Sequence, residues 1–158
     1  MLDILCLRLI VYVTYYVESQ GGLMNLIQGL SEKLSKCEFK GYQFNCLPMQ
    51  GEQAVLRVEV IGLEEIPIFV TATETQLLCI SYLFTKQEIY TEKEAELNQY
   101  LLELNVPMPL SSFALIDNHY SIFGSLARES KFENIALELI TLAKNSVDTL
   151  QALEEFIK

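Results

Sequence analysis

Between Val106 and Leu126 the chain reads VPMPLSSFALIDNHYSIFGSL, and no other segment constrains the architecture so tightly. Two short apolar runs, Ser112–Ile116 and Tyr120–Leu126, flank Asp117-Asn118-His119. Asp and Asn accept turn conformations and bond their own backbone, so the pattern predicts a β-hairpin. Pro107 and Pro109 bar a helix just upstream and hold the entry extended. Downstream, Ser130-Lys131-Phe132-Glu133 has the Ser-x-x-Glu form of a capping box at the head of an apolar-striped helix. A hairpin held between two helices turns its apolar face toward them.

That last helix is expected from Lys131 to about Phe156, because Phe132, Ile135, Leu139, Leu142, Leu150, Leu153 and Ile157 recur at threes and fours, with Ser146 in one apolar slot. Upstream, Thr91-Glu92-Lys93-Glu94 is a second capping-box pattern, and Ala95, Leu97, Leu101 and Leu104 give its helix a stripe that ends before Pro107. Four strands are expected earlier. Tyr42, Phe44 and Cys46 alternate with polar residues before a turn at Pro48-Met49-Gln50-Gly51, and Leu56, Val58 and Val60 alternate with Arg57 and Glu59. Ile66–Thr73 is rich in β-branched residues, and Leu77–Phe84 is apolar enough for a central strand. Asn25 is placed to cap a first helix carrying Leu26, Ile27, Leu30 and Leu34 on one stripe and ending near Lys36. The expected fold is α+β: an antiparallel sheet of about six strands with helices on one face, in the order α-ββββ-α-ββ-α.

The chain has 158 residues, enough for one domain with a substantial core, and its 51% apolar fraction argues against disorder. With 21 acidic residues against 11 basic ones the net charge is −10, and no basic block occurs. A phosphate backbone repels such a surface, so nucleic acid is disfavoured, and the charge favours solubility or a basic partner surface. Cys6, Cys37, Cys46 and Cys79 form no C-x-x-C pair and there is one histidine, so neither metal nor cofactor is expected. Cys46 and Cys79 fall in apolar strand runs and are read as small buried hydrophobes, usage that suits a reducing cytoplasm.

Met1–Val17, MLDILCLRLIVYVTYYV, is a dense apolar run. Asp3 stands at its head where a signal peptide needs positive charge, and Arg8 interrupts a run too short for an ordinary span. Gly21-Gly22 lies just before Met24, and glycine codons can spell a ribosome-binding site ahead of a start codon. Residues 1–23 are therefore read as a non-native or disordered apolar extension, and 24–158 as a single α+β domain.

Chemistry is sparse. His119 beside Asp117, with Ser111 and Ser112 nearby in sequence, permits a hydrolase on paper, but no G-x-S-x-G elbow is present. No G-x-G-x-x-G or G-x-x-x-x-G-K-[ST] loop occurs. Glu92, Glu94 and Glu96 suit a solvated first turn, and Glu129, Glu133, Glu138, Glu154 and Glu155 are read as the wet face of the last helix. That helix also carries Leu137, Ile140 and Val147 off its main stripe, a width that means deep burial or a second contact, either a homodimer or a bound partner segment. Together with Phe123, which faces away from Ile122 on its strand, these three form the candidate partner-binding surface.

Pro107–Phe113 (PMPLSSF), Tyr120–Gly124 (YSIFG) and Asn134–Glu138 (NIALE) make residues 24–158 resemble the YjfI-type bacterial family, a domain of unknown function. The resemblance implies a gene neighbourhood shared with a relative of phage-shock protein A, a membrane-remodelling coiled-coil protein. The element order is similar to type III secretion chaperones and YbjN-like proteins, which bind extended protein segments and do no chemistry. The expected function is a non-enzymatic cytoplasmic binding module, adaptor or chaperone-like, with a phage-shock-protein-A relative as partner. Its rivals are a membrane-associated factor anchored by residues 1–17, and a hydrolase using His119 with Ser111 or Ser112.

Overall fold

The computed structural model describes residues 20–49, 51 and 53–158. Among them, a first helix α1 (Gln20–Leu34) precedes strands β1 (Glu38–Phe39), β2 (Tyr42–Met49), β3 (Val55–Val60), β4 (Ile68–Ala72) and β5 (Gln76–Thr85). Helix α2 (Glu94–Leu104), the hairpin β6 (Ser112–Ile116) and β7 (His119–Ala127), and helix α3 (Phe132–Ala152) complete the order. The strands form one open antiparallel sheet, β1-β2-β3-β4-β5-β7-β6. The expected α+β architecture holds, with seven strands rather than six. The addition is the two-residue β1, which is too short to show any periodicity.

Period-two alternation decides which residues meet the helices. Phe44, Leu56, Val58, Val60, Ile68, Val70, Leu77, Cys79 and Ile122 supply the sheet's side of the core. Ile27, Leu30 and Leu34 of α1 and Ile135, Leu139, Ile140 and Leu142 of α3 pack on them. A second cluster at the end of the same face joins Phe84, Tyr120, Leu97, Leu101, Leu153 and Phe156, and so anchors α2. Phe84 and Tyr120 stack at 5.2 Å, and the Tyr120 hydroxyl donates to Asn98 Oδ1 at 2.8 Å.

Several expected boundaries move, each for a local reason. α1 begins at Gln20, so Asn25 lies inside the helix and Gly21-Gly22 belongs to it. Met1–Val17 and Cys6 lie outside the described residues, and so does the anchor reading that depends on them. β2 runs through Pro48, opposite Leu56, to Met49. Beyond Gln43 it is paired on one side only, where a missing N–H removes no ladder bond. Neither expected capping box forms: α2 is preceded by a 3-10 turn at Thr91–Lys93, and the residue before α3 is Lys131. The Thr-x-x-Glu contact is made instead at Thr85, whose backbone N–H and hydroxyl both donate to Glu88 Oε2 at 2.7 Å. These bonds hold the Glu88 carboxyl below its usual range. α3 ends at Ala152, because Leu153 and Phe156 turn back into the second cluster and the Phe156 carbonyl accepts from Tyr90 N–H at 3.1 Å. Among the described residues no helix is long and apolar enough to cross a membrane.

Candidate partner-binding surface

The hairpin turn is one residue tighter than its sequence suggests. Asp117 adopts φ +50°, Ile116 pairs directly with His119, and the loop is Asp117-Asn118 alone. A two-residue hairpin closes on a hydrogen-bonded pair, and such pairs alternate along an antiparallel ladder. Ile116, Ala114 and Ser112 thus bond to β7, while Phe113 and Leu115 aim their backbone N–H and C=O outward. The Phe113 N–H confirms this phase, donating to the Asn105 side chain at 2.6 Å. β7 lies between β5 and β6, so β6 is the sheet's edge.

Beside that edge runs a groove of about 240 Å³, lined by Asn98, Leu101, Leu102 and Asn105 of α2 and its end, and by Phe113, Ala114, Leu115 and Tyr120 of the hairpin. Leu102 is 69% exposed and Leu115 45%. The connection between them adds Val106 at 89% and Leu110 at 55%. Asn145 of α3 secures this connection, its amide donating to the Pro109 carbonyl and to Ser111 Oγ, each at 3.0 Å.

Of the four residues expected to form a binding surface, Leu137, Ile140 and Val147 lie along α3 at helical spacing and Phe123 stands apart on β7. Phe123 is half-buried and pairs with Ile80 and Ser112, on the sheet face away from α3. Ile140 is 3% exposed and belongs to the core, while Leu137 and Val147 are half-buried on α3. The exposed apolar residues of α2 and β6 were missed, because their exposure depends on strand order rather than on local pattern.

Nor are the hydrolase residues assembled. Ser111 is buried against Asn145, and Ser112 stands four residues along β6 from Ile116, the partner of His119. Four extended residues span roughly 13 Å. The His119 ring instead meets Tyr82 edge-on at 5.7 Å. Among the described residues no cluster of three His, Cys, Asp or Glu could hold a metal.

Glu138 corrects the reading of the last helix. It is 3% exposed, on the stripe three residues after Ile135 and four before Leu142, and its Oε1 has no hydrogen-bond partner. Burial pushes its carboxyl up to about 7. Burial first, and then the Glu138 charge, also raise the Cys79 thiol. Room for the carboxyl comes from Gly124 on β7, where a Cβ would overlap it and would lie 3.1 Å from the Leu110 carbonyl oxygen. Gly124→Ala should therefore cost on the order of 1–3 kcal/mol through overpacking. Glu138→Ala in the same chain should recover part of that in urea denaturation. An identical cost in both backgrounds would show that the two side chains do not compete for one space.

The class these features define is an α+β domain with helices on one face of an open antiparallel sheet. Residues 25–157 match a family described as an uncharacterized protein conserved in bacteria, DUF2170, and the chain belongs to that family. It is 31% identical over 93 residues to the uncharacterized protein YjfI of Escherichia coli strain K12, covering 50% of this chain and 70% of YjfI. The YjfI protein of Escherichia coli O157:H7 matches with the same identity and coverage. Among solved structures, YbjN from E. coli, described as a candidate transcription regulator, superposes with a TM-score of 0.59 at 12% identity. That match covers 85% of this chain and 94% of YbjN, and it supports the fold. The ExsC–ExsE complex matches at a TM-score of 0.42 and 8% identity over 85% of this chain and 96% of that one, too low to carry an inference.

Proposed function

We propose that this protein is a non-enzymatic, cytoplasmic protein-binding module, an adaptor or chaperone-like factor. The observation that carries the reading is the run of exposed apolar side chains from α2 to β6, Leu102, Val106, Leu110 and Leu115, beside an apolar groove. Exposed apolar side chains at a groove, as Leu102 and Leu115 are here, mark interaction sites in folded proteins. The acidic balance, −10 overall, steers basic partners toward it and repels nucleic acid. The resemblance to the YjfI-type family nominates a relative of phage-shock protein A as the first partner to seek.

Affinity capture of the natively expressed protein, followed by mass spectrometry, tests this. We expect a specific protein partner, with a phage-shock-protein-A relative among the hits, and fractionation should place both in the cytoplasm. Repeated capture of nothing specific would count against an adaptor.

A further inference from the structure

We infer that the β6 edge takes an extended segment of another protein as an added strand, whose alternate apolar side chains fill the α2–β6 groove and whose ends carry Lys or Arg. The inference deepens the protein-binding reading and rests on it. Its starting point is the difference between the two sheet edges. An unpaired edge invites other strands, and proteins blunt it with short strands, proline or charge. One edge is blunted in this way, by the two-residue β1 and by Pro48 on β2. The other is not. β6 reads Ser-Phe-Ala-Leu-Ile, with no charge and no proline, and among the described residues no strand pairs with its outer side.

The hydrogen-bonding groups on that side are specific. Asn105 occupies the Phe113 N–H, which leaves the Phe113 carbonyl and both Leu115 backbone groups directed outward. A strand laid there would alternate its side chains between the two sheet faces. On the helix side they would meet Leu101, Leu102, Phe113 and Leu115. Main-chain bonds would hold the segment, and the groove would select apolar residues at every second position.

Charge distinguishes a foreign segment from a second copy of this chain. From Glu94 to Leu104, α2 carries Glu94, Glu96 and Glu103 and no basic residue, and Asp117 stands at the hairpin tip. The nearby Lys86 is already committed to Glu94 at 3.0 Å. Twofold pairing of β6 with β6 would set Asp117 of each copy toward the Glu103 end of the other's helix, where like charges repel. A segment flanked by Lys or Arg meets the opposite sign.

The test uses the full chain against a phage-displayed library of random twelve-residue peptides, with Leu102→Glu and Leu115→Pro as variants. Both positions are exposed, and the Leu115 N–H is outside the β6–β7 ladder, so urea midpoints should stay near that of the unaltered chain. We expect enriched peptides that alternate apolar residues and carry Lys or Arg at their ends. A synthetic peptide of the enriched sequence should bind at least tenfold more weakly to each variant, and to the unaltered chain once its central amides are N-methylated. No enrichment, or binding indifferent to both variants, overturns the inference. So does a dimer in sedimentation that either variant converts to a monomer, because a second copy then occupies the edge. A native partner still captured by both variants removes the inference and leaves the protein-binding reading standing. Empty native capture removes the reading itself.

Discussion

Raising the pH from 5 to 8 should weaken the unaltered protein relative to a Glu138→Gln variant by roughly 2–3 kcal/mol. Glu138 sits between α3 and β7 with an unpartnered Oε1, and burial raises its carboxyl from the ordinary 4.5 to about 7. An unfolded chain releases that proton near the ordinary value, whereas the folded chain keeps it until near neutrality. The folded state therefore binds more protons than the unfolded one between these limits, and stability falls as pH rises through the interval. Below 4.5 the contribution is fully present, and above about 7 the loss is complete. Glutamine keeps the shape without the titration, so the difference between the two proteins isolates this one group. The comparison matters because Glu88, held low by its Thr85 bonds, acts with the opposite sign, stabilising at higher pH and losing that contribution on acidification. Urea denaturation at pH 5 and 8 measures the difference. Parallel pH profiles for the two proteins would refute the assignment.

Glu138 also shows where local reading stops. Its place on the Ile135–Leu142 stripe was legible from spacing, but a carboxylate is ordinarily assigned to water. The room that admits it comes from Gly124, fourteen residues earlier and on another element. The hairpin, by contrast, was readable almost to the residue, because alternation, two prolines and Asp-Asn turn chemistry all act within a few positions. Its turn came out one residue too long, since nothing local fixed the positive φ of Asp117. The Ser-x-x-Glu and Thr-x-x-Glu patterns misled for a related reason. Five such strings occur, beginning at Ser35, Thr71, Thr85, Thr91 and Ser130, and the contact made at Thr85 opens a 3-10 turn rather than the apolar helix that makes the pattern easy to see.

The proposed partner surface was the least legible feature. α2's exposed Leu102 resembles any off-stripe leucine, and β6 resembles any short strand, until the topology places β7 between β5 and β6. Only that insertion leaves β6 with an open side. The width of α3 pointed elsewhere, to Leu137, Ile140 and Val147, and here Ile140 is absorbed by the core while the other two are half-buried. Amphipathic width reports how much of a helix is covered, and α3 is covered by the sheet it packs on.

The hairpin's two faces give the other large effect. Ile122 is fully buried, opposite Ser81 on one side and Phe113 on the other, in the cluster that contains Ile135, Leu139 and Leu142. Truncation to alanine removes buried methylene and methyl groups and leaves a cavity that a sheet paired on both sides cannot close by local collapse. Ile122→Ala should cost on the order of 2–5 kcal/mol. Phe123 is one residue away on the opposite face, half-buried beside Ile80 and Ser112. Part of its ring remains in water in the folded state, so less transfer free energy is lost, and Phe123→Ala should cost about 1–2 kcal/mol. The order of the two effects is the sharper expectation, because a phenylalanine is larger than an isoleucine and a rule based on size alone predicts the reverse. Urea midpoints for both variants decide it. If Phe123→Ala unfolds the domain while Ile122→Ala leaves the midpoint unmoved, the main core lies on the other face of the sheet.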